Sequence, residues 1–244
     1  MTTAELIVAN VEKVRLQIIA ACERSGRNPD DVTLIAVSKK HPPSLIHAAW
    51  AAGVQHFGEN RVEEAETKIP VANELVSQPV TWHMIGHIQS RKARYIPRLF
   101  QMVHSVDSLK LAQKLSDYAQ AVDIKLPVLI QMNIAGEEQK SGFWAKGWQV
   151  DETVYQQLVN VISQINQLPS LVVQGLMTMA PIVSSPEQAR PVFTSLATLR
   201  MRLEQSLELS LPHLSMGMTD DYPVAIEEGA TLVRIGRAIF GPRT

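Results

Sequence analysis

The chain has 244 residues, of which 45% are hydrophobic, and its formal net charge is −1. This length is enough for one large domain with a substantial core, or at most for two small ones. The 23 lysines and arginines nearly balance the 24 aspartates and glutamates, with no long run of either sign, so the composition argues against nucleic acid and anionic membrane surfaces as partners.

A single cysteine, Cys22, excludes an internal disulfide and is typical of a reducing compartment. The N-terminus lacks the basic head and apolar core of a secretory signal. The longest uncharged stretch, residues 168–186, contains three prolines and would make a poor transmembrane helix. We therefore predict a cytoplasmic protein that does not bind membranes.

An amphipathic helix comes first, because apolar residues recur there at spacings of three and four. Those residues are Leu6, Ile7, Val11, Val14, Ile18, Ala21 and Cys22. Eight short strands follow, most of them apolar at every position, as parallel strands buried on both faces are. We predict them at about residues 33–37, 54–57, 81–85, 101–105, 127–132, 171–176, 211–215 and 231–235.

Helical patterns lie between these strands, and several begin at a capping residue or an early proline. Helices are predicted from Pro43 to near Gly53, over 108–122, and from Ser185 to about 207. Eight strands alternating with helices predict an α/β fold, a (β/α)8 TIM-type barrel with one extra N-terminal helix. A doubly wound open sheet is the alternative. No linker-like segment divides the chain, so we expect one domain over residues 1–244.

Lys39 follows the first predicted strand, at the end where barrels place their ligands. A partly desolvated amine in that position can form a Schiff base. A surface lysine whose stem packs against the strand while its amine stays in water accounts for the same segment. This segment alone leaves both interpretations open.

Small and hydroxyl-bearing residues follow the last two predicted strands. Ser215, Gly217 and Thr219 form a turn before a helix expected near Asp220, and Gly236 allows backbone amides to approach a ligand closely. The loops after the seventh and eighth strands are the usual phosphate site of barrels. A capped turn explains the first of these segments equally well. Together they favour a monophosphate ester as ligand.

Seven collinear motifs make a specific family resemblance. They are Ala36-Val37-Ser38-Lys39, Phe57-Gly58-Glu59-Asn60, Trp82-His83-Met84-Ile85-Gly86-His87-Ile88-Gln89-Ser90, Lys140-Ser141-Gly142, Gly175-Leu176-Met177, Leu214-Ser215-Met216-Gly217-Met218 and Val233-Arg234-Ile235-Gly236. In order and spacing they resemble the pyridoxal phosphate (PLP) homeostasis proteins, the YggS/PROSC-type PLP-binding family. The resemblance spans about residues 30 to 241.

The resemblance implies a fold like the barrel domain of alanine racemase, with PLP as cofactor held by a lysine aldimine. By position in its motif that lysine is Lys39, with Lys40 as the competitor. The resemblance further implies that Asn60 and Met84, Ile85 and Gly86 line the ring, and that Arg234 meets the pyridine nitrogen. The phosphate would be received by Ser215 with the backbone of Gly236 and Arg237. His83 is either near the cofactor or packed beside Trp82, and Lys140-Ser141-Gly142 is either a lid or a polar turn.

Arg234 bears on catalysis. A protonated pyridine nitrogen makes PLP an electron sink, and an arginine, with a pKa above about 12, cannot accept that proton. Racemisation also needs a second base, which in the racemases is a tyrosine from a separate β domain of a partner subunit. This chain ends nine residues after its eighth predicted strand, so we expect that domain to be absent. Tyr95, Tyr118, Tyr155 and Tyr222 fall in or beside predicted helices.

We therefore predict a monomeric, non-enzymatic protein of PLP homeostasis that buffers PLP or delivers it to apoenzymes, with no catalytic residue and no metal. The alternative is a PLP-dependent amino-acid racemase or lyase. Two positions depart from the family pattern. His87 stands where the family often has proline, and Arg237 stands where a small residue such as threonine is common, so a hydroxyl contact to the phosphate is missing.

Overall fold

The computed structural model describes residues 2–242, and within them eight parallel strands close into a barrel surrounded by helices. The barrel strands are β1 (Thr33–Val37), β2 (His56–Glu59), β3 (Thr81–Met84), β4 (Met102–Val106), β5 (Leu126–Asn133), β7 (Leu171–Met177), β8 (His213–Ser215) and β9 (Leu232–Ile235). They pair in the order β4-β3-β2-β1-β9-β8-β7-β5, and β4 also pairs with β5. That last pairing closes the sheet, which confirms the predicted TIM-type barrel and excludes a doubly wound open sheet.

The predicted strands are found within about two residues of their expected ends. An additional two-residue strand, β6 (Phe143–Trp144), pairs in parallel with the end of β5. Its brevity explains why periodicity does not detect it, since two residues carry no alternation.

The helices are α1 (Thr3–Ser25), α2 (Pro43–Ala51), α3 (Val62–Leu75), α4 (Ile96–Leu99), α5 (Leu109–Gln120), α6 (Glu152–Asn166), α7 (Arg190–Leu207), α8 (Tyr222–Glu227) and α9 (Arg237–Phe240). The predicted extra helix is α1. It begins with a capping box of Thr2 and Glu5 and ends at Gly26, which has a left-handed conformation. Its apolar stripe packs against α2, α8 and α9. No helix within residues 2–242 is long and apolar enough to cross a membrane.

Two predicted helix starts differ from the structure. The segment expected to be helical from Ser185 begins as a 3-10 turn, Pro186–Ala189, before α7 takes over. The helix expected near Asp220 begins at Tyr222, because the Asp221 side chain accepts a hydrogen bond from the Met218 amide at 2.6 Å and extends the preceding turn.

The core has two layers of different chemistry. A large apolar layer lies between the barrel and the helices, whereas the barrel interior holds a small apolar cluster of Ile35, Leu129, Met177 and Leu232. The rest of the interior is polar. Arg234, Ser215, His83 and His104 are all buried there, and they form the floor of the candidate site.

Candidate functional site

Lys39 lies in the turn after β1 and is half-buried, whereas its competitor Lys40 is exposed. Lys40 adopts a left-handed φ of 65°, which ends the extended chain. If the alternation of β1 is continued two residues past Val37, Lys39 falls on the face of Ile35, a member of the inner cluster. The fold therefore assigns the two neighbouring lysines to different environments.

Three side chains clamp the turn that carries Lys39. Lys68 of α3 donates hydrogen bonds to the Ser38 carbonyl at 2.9 Å and to Glu59 Oε1 at 2.9 Å, and it contacts Glu64. The Ser38 hydroxyl donates to the same Glu59 oxygen at 2.7 Å, and Glu64 accepts from the Lys40 amide. The backbone on both sides of Lys39 is thus held by one buried polar network.

Glu59 is fully buried within that network. Burial raises the pKa of Glu59, and the charge and hydrogen bonds of Lys68 and Ser38 partly offset this effect. Its second oxygen, Oε2, accepts no hydrogen bond from the residues that the structure describes. The glutamate therefore depends on Lys68 for most of the stabilisation of its charge.

Arg234 is the buried cation of the barrel interior. It is opposite Ile35 in the β1–β9 register, four residues deeper along the barrel than Lys39. Its guanidinium donates to the Ser215 hydroxyl and to the Thr178 carbonyl, the latter at 2.9 Å. Burial lowers the pKa of Arg234 to about 10, so the group remains protonated at neutral pH.

A column of three histidines continues from Ser215. His104 Nδ1 lies 2.8 Å from Ser215 Oγ, His83 Nδ1 lies 2.9 Å from His104 Nε2, and His56 Nδ1 lies 3.0 Å from His83 Nε2. Burial lowers the pKa of His83 to about 3 and that of His104 well below its ordinary value, so both rings are neutral. His83 thus points into the barrel, away from the face on which Trp82 packs.

The segment expected to line a ring divides between the two faces of β3. Ile85 lies near Ile35 of the inner cluster, because both side chains come within about 3 Å of a Cβ built on Gly58. Met84, in contrast, is fully buried in the outer apolar layer. A strand alternates its side chains, so Met84 and Ile85 cannot share one face, and the expectation that Met84 lines the site through its side chain is not supported.

Asn60 and Gly86 meet at the ends of β2 and β3. A Cβ built on Gly86 would lie 2.2 Å from the Asn60 carbonyl oxygen, so only glycine permits this approach. The side-chain oxygen of Asn60 is buried and accepts no hydrogen bond from residues 2–242. The structure therefore brings these two predicted residues together and leaves an acceptor with its hydrogen bond unmade.

The two expected phosphate turns adjoin each other. Gly217 has a φ of 92°, and a Cβ on it would lie 2.7 Å from the Ala225 side chain, so the first turn packs closely on α8. Gly236 precedes α9, whose first amides have no partner within the helix. The exposed Arg237 pairs with Asp220, which joins the two turns.

The Ser215 hydroxyl, expected to receive the phosphate, has two partners inside the barrel that the sequence did not predict. Its hydroxyl is fully buried between His104 and Arg234, inside the barrel. The sequence motif does not predict these two contacts, because it does not show which side chains of other strands reach Ser215 inside the barrel.

The four tyrosines are engaged elsewhere. The Tyr222 hydroxyl donates to Gln17 of α1, and the Tyr155 hydroxyl bonds with Ser206 at 2.6 Å and Arg202 at 3.0 Å. Tyr95 lies in a 3-10 turn, and Tyr118 lies on α5. Each therefore belongs to the helical layer.

The Lys140-Ser141-Gly142 segment is part of the loop after β5. The Asn133 side chain bonds to the backbone of Glu137 and Lys140, and the Lys140 amine donates to Glu137 and to the Ala180 carbonyl at 3.1 Å. These contacts fasten the loop to the segment after β7.

Comparisons with known proteins agree with this architecture. The family model described as alanine racemase, N-terminal domain, matches residues 19–244. A pyridoxal phosphate homeostasis protein of Pseudomonas aeruginosa is 41% identical, with 97% of this chain and 96% of the relative covered. PipY of Synechococcus elongatus PCC7942, solved with PLP bound, is 33% identical with a TM-score of 0.80, covering 96% of this chain and all of that one.

More distant structures share only the fold. An alanine racemase of Clostridium difficile 630 is 13% identical with a TM-score of 0.71, covering 98% of this chain and 59% of that one. The near-full-length match to the closer relatives, together with the matched family model, is decisive. The chain belongs to the pyridoxal phosphate homeostasis protein family, as the seven motifs predict.

Proposed function

We propose that this protein binds PLP at the carboxyl ends of its barrel strands, with Lys39 as the covalent anchor, and that it serves PLP homeostasis by holding and releasing the cofactor. The observation that carries the proposal is the placement of Lys39 in the turn directly after β1 and of Arg234 on its neighbour β9. Arg234 is opposite Ile35, four residues before Lys39, so the amine at the mouth and the buried cation lie at different depths, as the two ends of a small ring would require.

The remaining groups fit the polar atoms of PLP. Arg234 has guanidinium N–H groups beyond those used by Ser215 and Thr178, and such donors suit an unprotonated ring nitrogen. The Asn60 NH₂ can donate to the phenolic oxygen of the ring, while its oxygen, which has no partner within the described residues, remains available to accept a hydrogen bond. The backbone amides of Gly236 and Arg237 suit the phosphate, with the Ser215–Gly217 turn as the second wall.

The presence of Arg234 also favours a protein that carries PLP over an enzyme that uses PLP to turn over a substrate. Bound PLP supplies an aldehyde for an amine and a ring that stabilises carbanions best when its nitrogen is protonated. The Arg234 guanidinium is already protonated, so it can donate to the ring nitrogen but cannot give that nitrogen a stable proton. No carboxylate within residues 2–242 hydrogen-bonds to Arg234. The tyrosine hydroxyls described above bond within the helical layer, so none supplies a second base at the mouth. In this proposal the protein is a cytoplasmic monomer of one domain that delivers PLP to apoenzymes.

Absorption spectroscopy with borohydride trapping tests the anchor. The purified protein with PLP should show the imine band at about 420 nm, and peptide mapping after reduction should find the modified lysine at Lys39. Lys39→Ala should lose the band, and Lys40→Ala, the matched control at the exposed neighbour, should keep it. A band that survives in Lys39→Ala and disappears in Lys40→Ala would contradict the assignment.

Proton exchange separates a carrier from an enzyme. The loaded protein is incubated in D2O with several L-amino acids, and the α-proton is followed by NMR. We expect exchange no faster than with free PLP at the same concentration. Exchange at enzyme-like rates, from about 1 per second upward, would favour a racemase or lyase instead.

A further inference from the structure

The histidine column crosses the barrel from the proposed PLP site to its opposite end. His56 is the first residue of β2 and is half-buried, whereas His83 and His104 are buried third residues of β3 and β4. Ser215 at the end of β8 completes a chain of hydrogen bonds from His56 to Arg234. The family motifs do not assign a role to this column.

Arg234 gives the column a direction. The guanidinium can only donate, so the Ser215 oxygen accepts from it, and the Ser215 hydroxyl is free to donate to His104 Nδ1. His104 then carries its proton on Nε2 and donates to His83 Nδ1, and His83 donates in the same way to His56 Nδ1. As a result, the lone pair of each histidine's acceptor nitrogen points towards Arg234. This orientation stabilises the buried cation, which has no hydrogen-bonded carboxylate.

We infer that His83 and His104 are positioning residues for Arg234, and that the column couples PLP retention to the protonation of His56 at the far end of the barrel. This inference rests on the proposed binding of PLP. Protonated His56 carries a proton on Nδ1 and cannot accept from His83. The column must then reverse, and His104 donates to Ser215, whose own proton has no acceptor among the contacts described for that hydroxyl.

Charged and titratable groups of several elements act on the column. Asp221, which precedes α8, raises the pKa of Arg234 and so partly offsets the effect of burial. Within residues 2–242, His104 is influenced by His83, by Arg234 on β9 and by His213 on β8, and His83 by His56 and His213. All of them lower the histidine pKa values and so keep the rings of His83 and His104 neutral. Burial alone lowers the pKa of His56, which is the member closest to solvent. His56 is therefore the first histidine of the column to gain a proton as the pH falls.

The sign of the coupling follows from linkage. In this inference PLP binding requires the orientation of the column in which its acceptor nitrogens point towards Arg234, and that orientation requires neutral His56. The affinity for PLP is therefore full above the pKa of His56 and is lost as the pH falls through that pKa. The measurement is the apparent dissociation constant for PLP from about pH 8 to about pH 5, a range that spans the usual histidine pKa of about 6.5.

Asparagine variants provide matched tests, because the Asn side-chain oxygen can accept where Nδ1 accepts but does not titrate. His56→Asn should reduce the change in affinity across this pH range by about tenfold relative to wild type, which corresponds to one pKa unit of coupling. His104→Leu removes the acceptor for Ser215 and should weaken PLP binding about tenfold or more at pH 8. His104→Asn should recover most of that loss while losing the pH response.

A readout on the PLP-free protein makes the test independent of loading. Nitrogen-15 NMR of the imidazoles reports which ring nitrogen carries the proton, and we expect the Nε2–H tautomer for His83 and His104. The Nδ1–H tautomer in both, or identical pH curves for wild type and His56→Asn, would overturn the inference while leaving PLP binding intact. Failure of the wild-type protein to bind PLP would instead refute the proposed function.

Discussion

Replacing Lys68 by methionine should destabilise the protein strongly. Lys68 is 7% exposed and its ammonium bonds to Glu59, which is completely buried, and to the Ser38 carbonyl beneath Lys39. Methionine keeps the volume of the side chain but removes the charge. Glu59 would then retain only the Ser38 hydroxyl as partner and remain inside the fold as an isolated carboxylate.

The expected magnitude follows from that isolation. Removing one partner of a buried ion pair costs about 3–5 kcal/mol, because the other charge is left desolvated. For a chain of this length about 1 kcal/mol shifts the melting temperature by about 2–4 °C, so the shift should be about 6–20 °C. Burial already raises the pKa of Glu59, and without Lys68 it rises further, so protonation at low pH relieves the cost.

Thermal unfolding followed by circular dichroism, at about pH 7.5 and about pH 5, measures both effects. The melting temperature of Lys68→Met should be closest to wild type at the lower pH. Lys110→Met, on the exposed face of α5, is the control and should change stability by less than about 0.5 kcal/mol. A second mutation, Glu59→Gln, should recover most of the loss. A shift below about 2 °C, or a loss that Glu59→Gln deepens, would refute the reasoning.

Two other substitutions probe the mouth of the barrel, and a third tests a contact in the helical layer. Gly86→Ala places a methyl group 2.2 Å from the Asn60 carbonyl oxygen and should cost about 1–3 kcal/mol together with much of the PLP absorption; an unchanged melting temperature would contradict the close approach. Asn60→Leu removes a buried oxygen without a partner in the described chain, so the PLP-free protein should melt at the same temperature or higher while PLP titration shows weaker binding. Tyr222→Phe removes the hydrogen bond to Gln17 and should cost about 1 kcal/mol, with the yield of borohydride-trapped PLP unchanged; a reduced yield would place the phenol in the site.

Sequence patterns predicted the barrel closely because its signals are local. A parallel strand buried on both faces reads as a short apolar run, and proline or a capping residue marks where the next helix begins. The strand over Thr33–Val37 matches its predicted ends. The segment after Ser185 differs because the transition from a 3-10 turn to an α-helix depends on packing rather than on the starting residues.

The candidate site was only partly predictable. Motif position places Lys39, Asn60 and Gly86 just after the ends of strands. The fold brings Asn60 and Gly86 together, and it places Arg234 deeper in the barrel, opposite Ile35. Motif position does not show that Met84 packs into the outer layer. When both faces of a strand are apolar, the alternation of side chains cannot say which face points inward.

By itself, the sequence determined the order of strands and helices, the family, and the lysine at the end of the first strand. Only the tertiary structure decided which buried groups meet. The column from His56 through His104 to Ser215 joins residues from β2, β3, β4 and β8, and its hydrogen-bonded partners lie as far as 111 positions apart in the chain. Closure of the barrel brings those strands around one interior, and the donor-only chemistry of Arg234 then gives the column its direction.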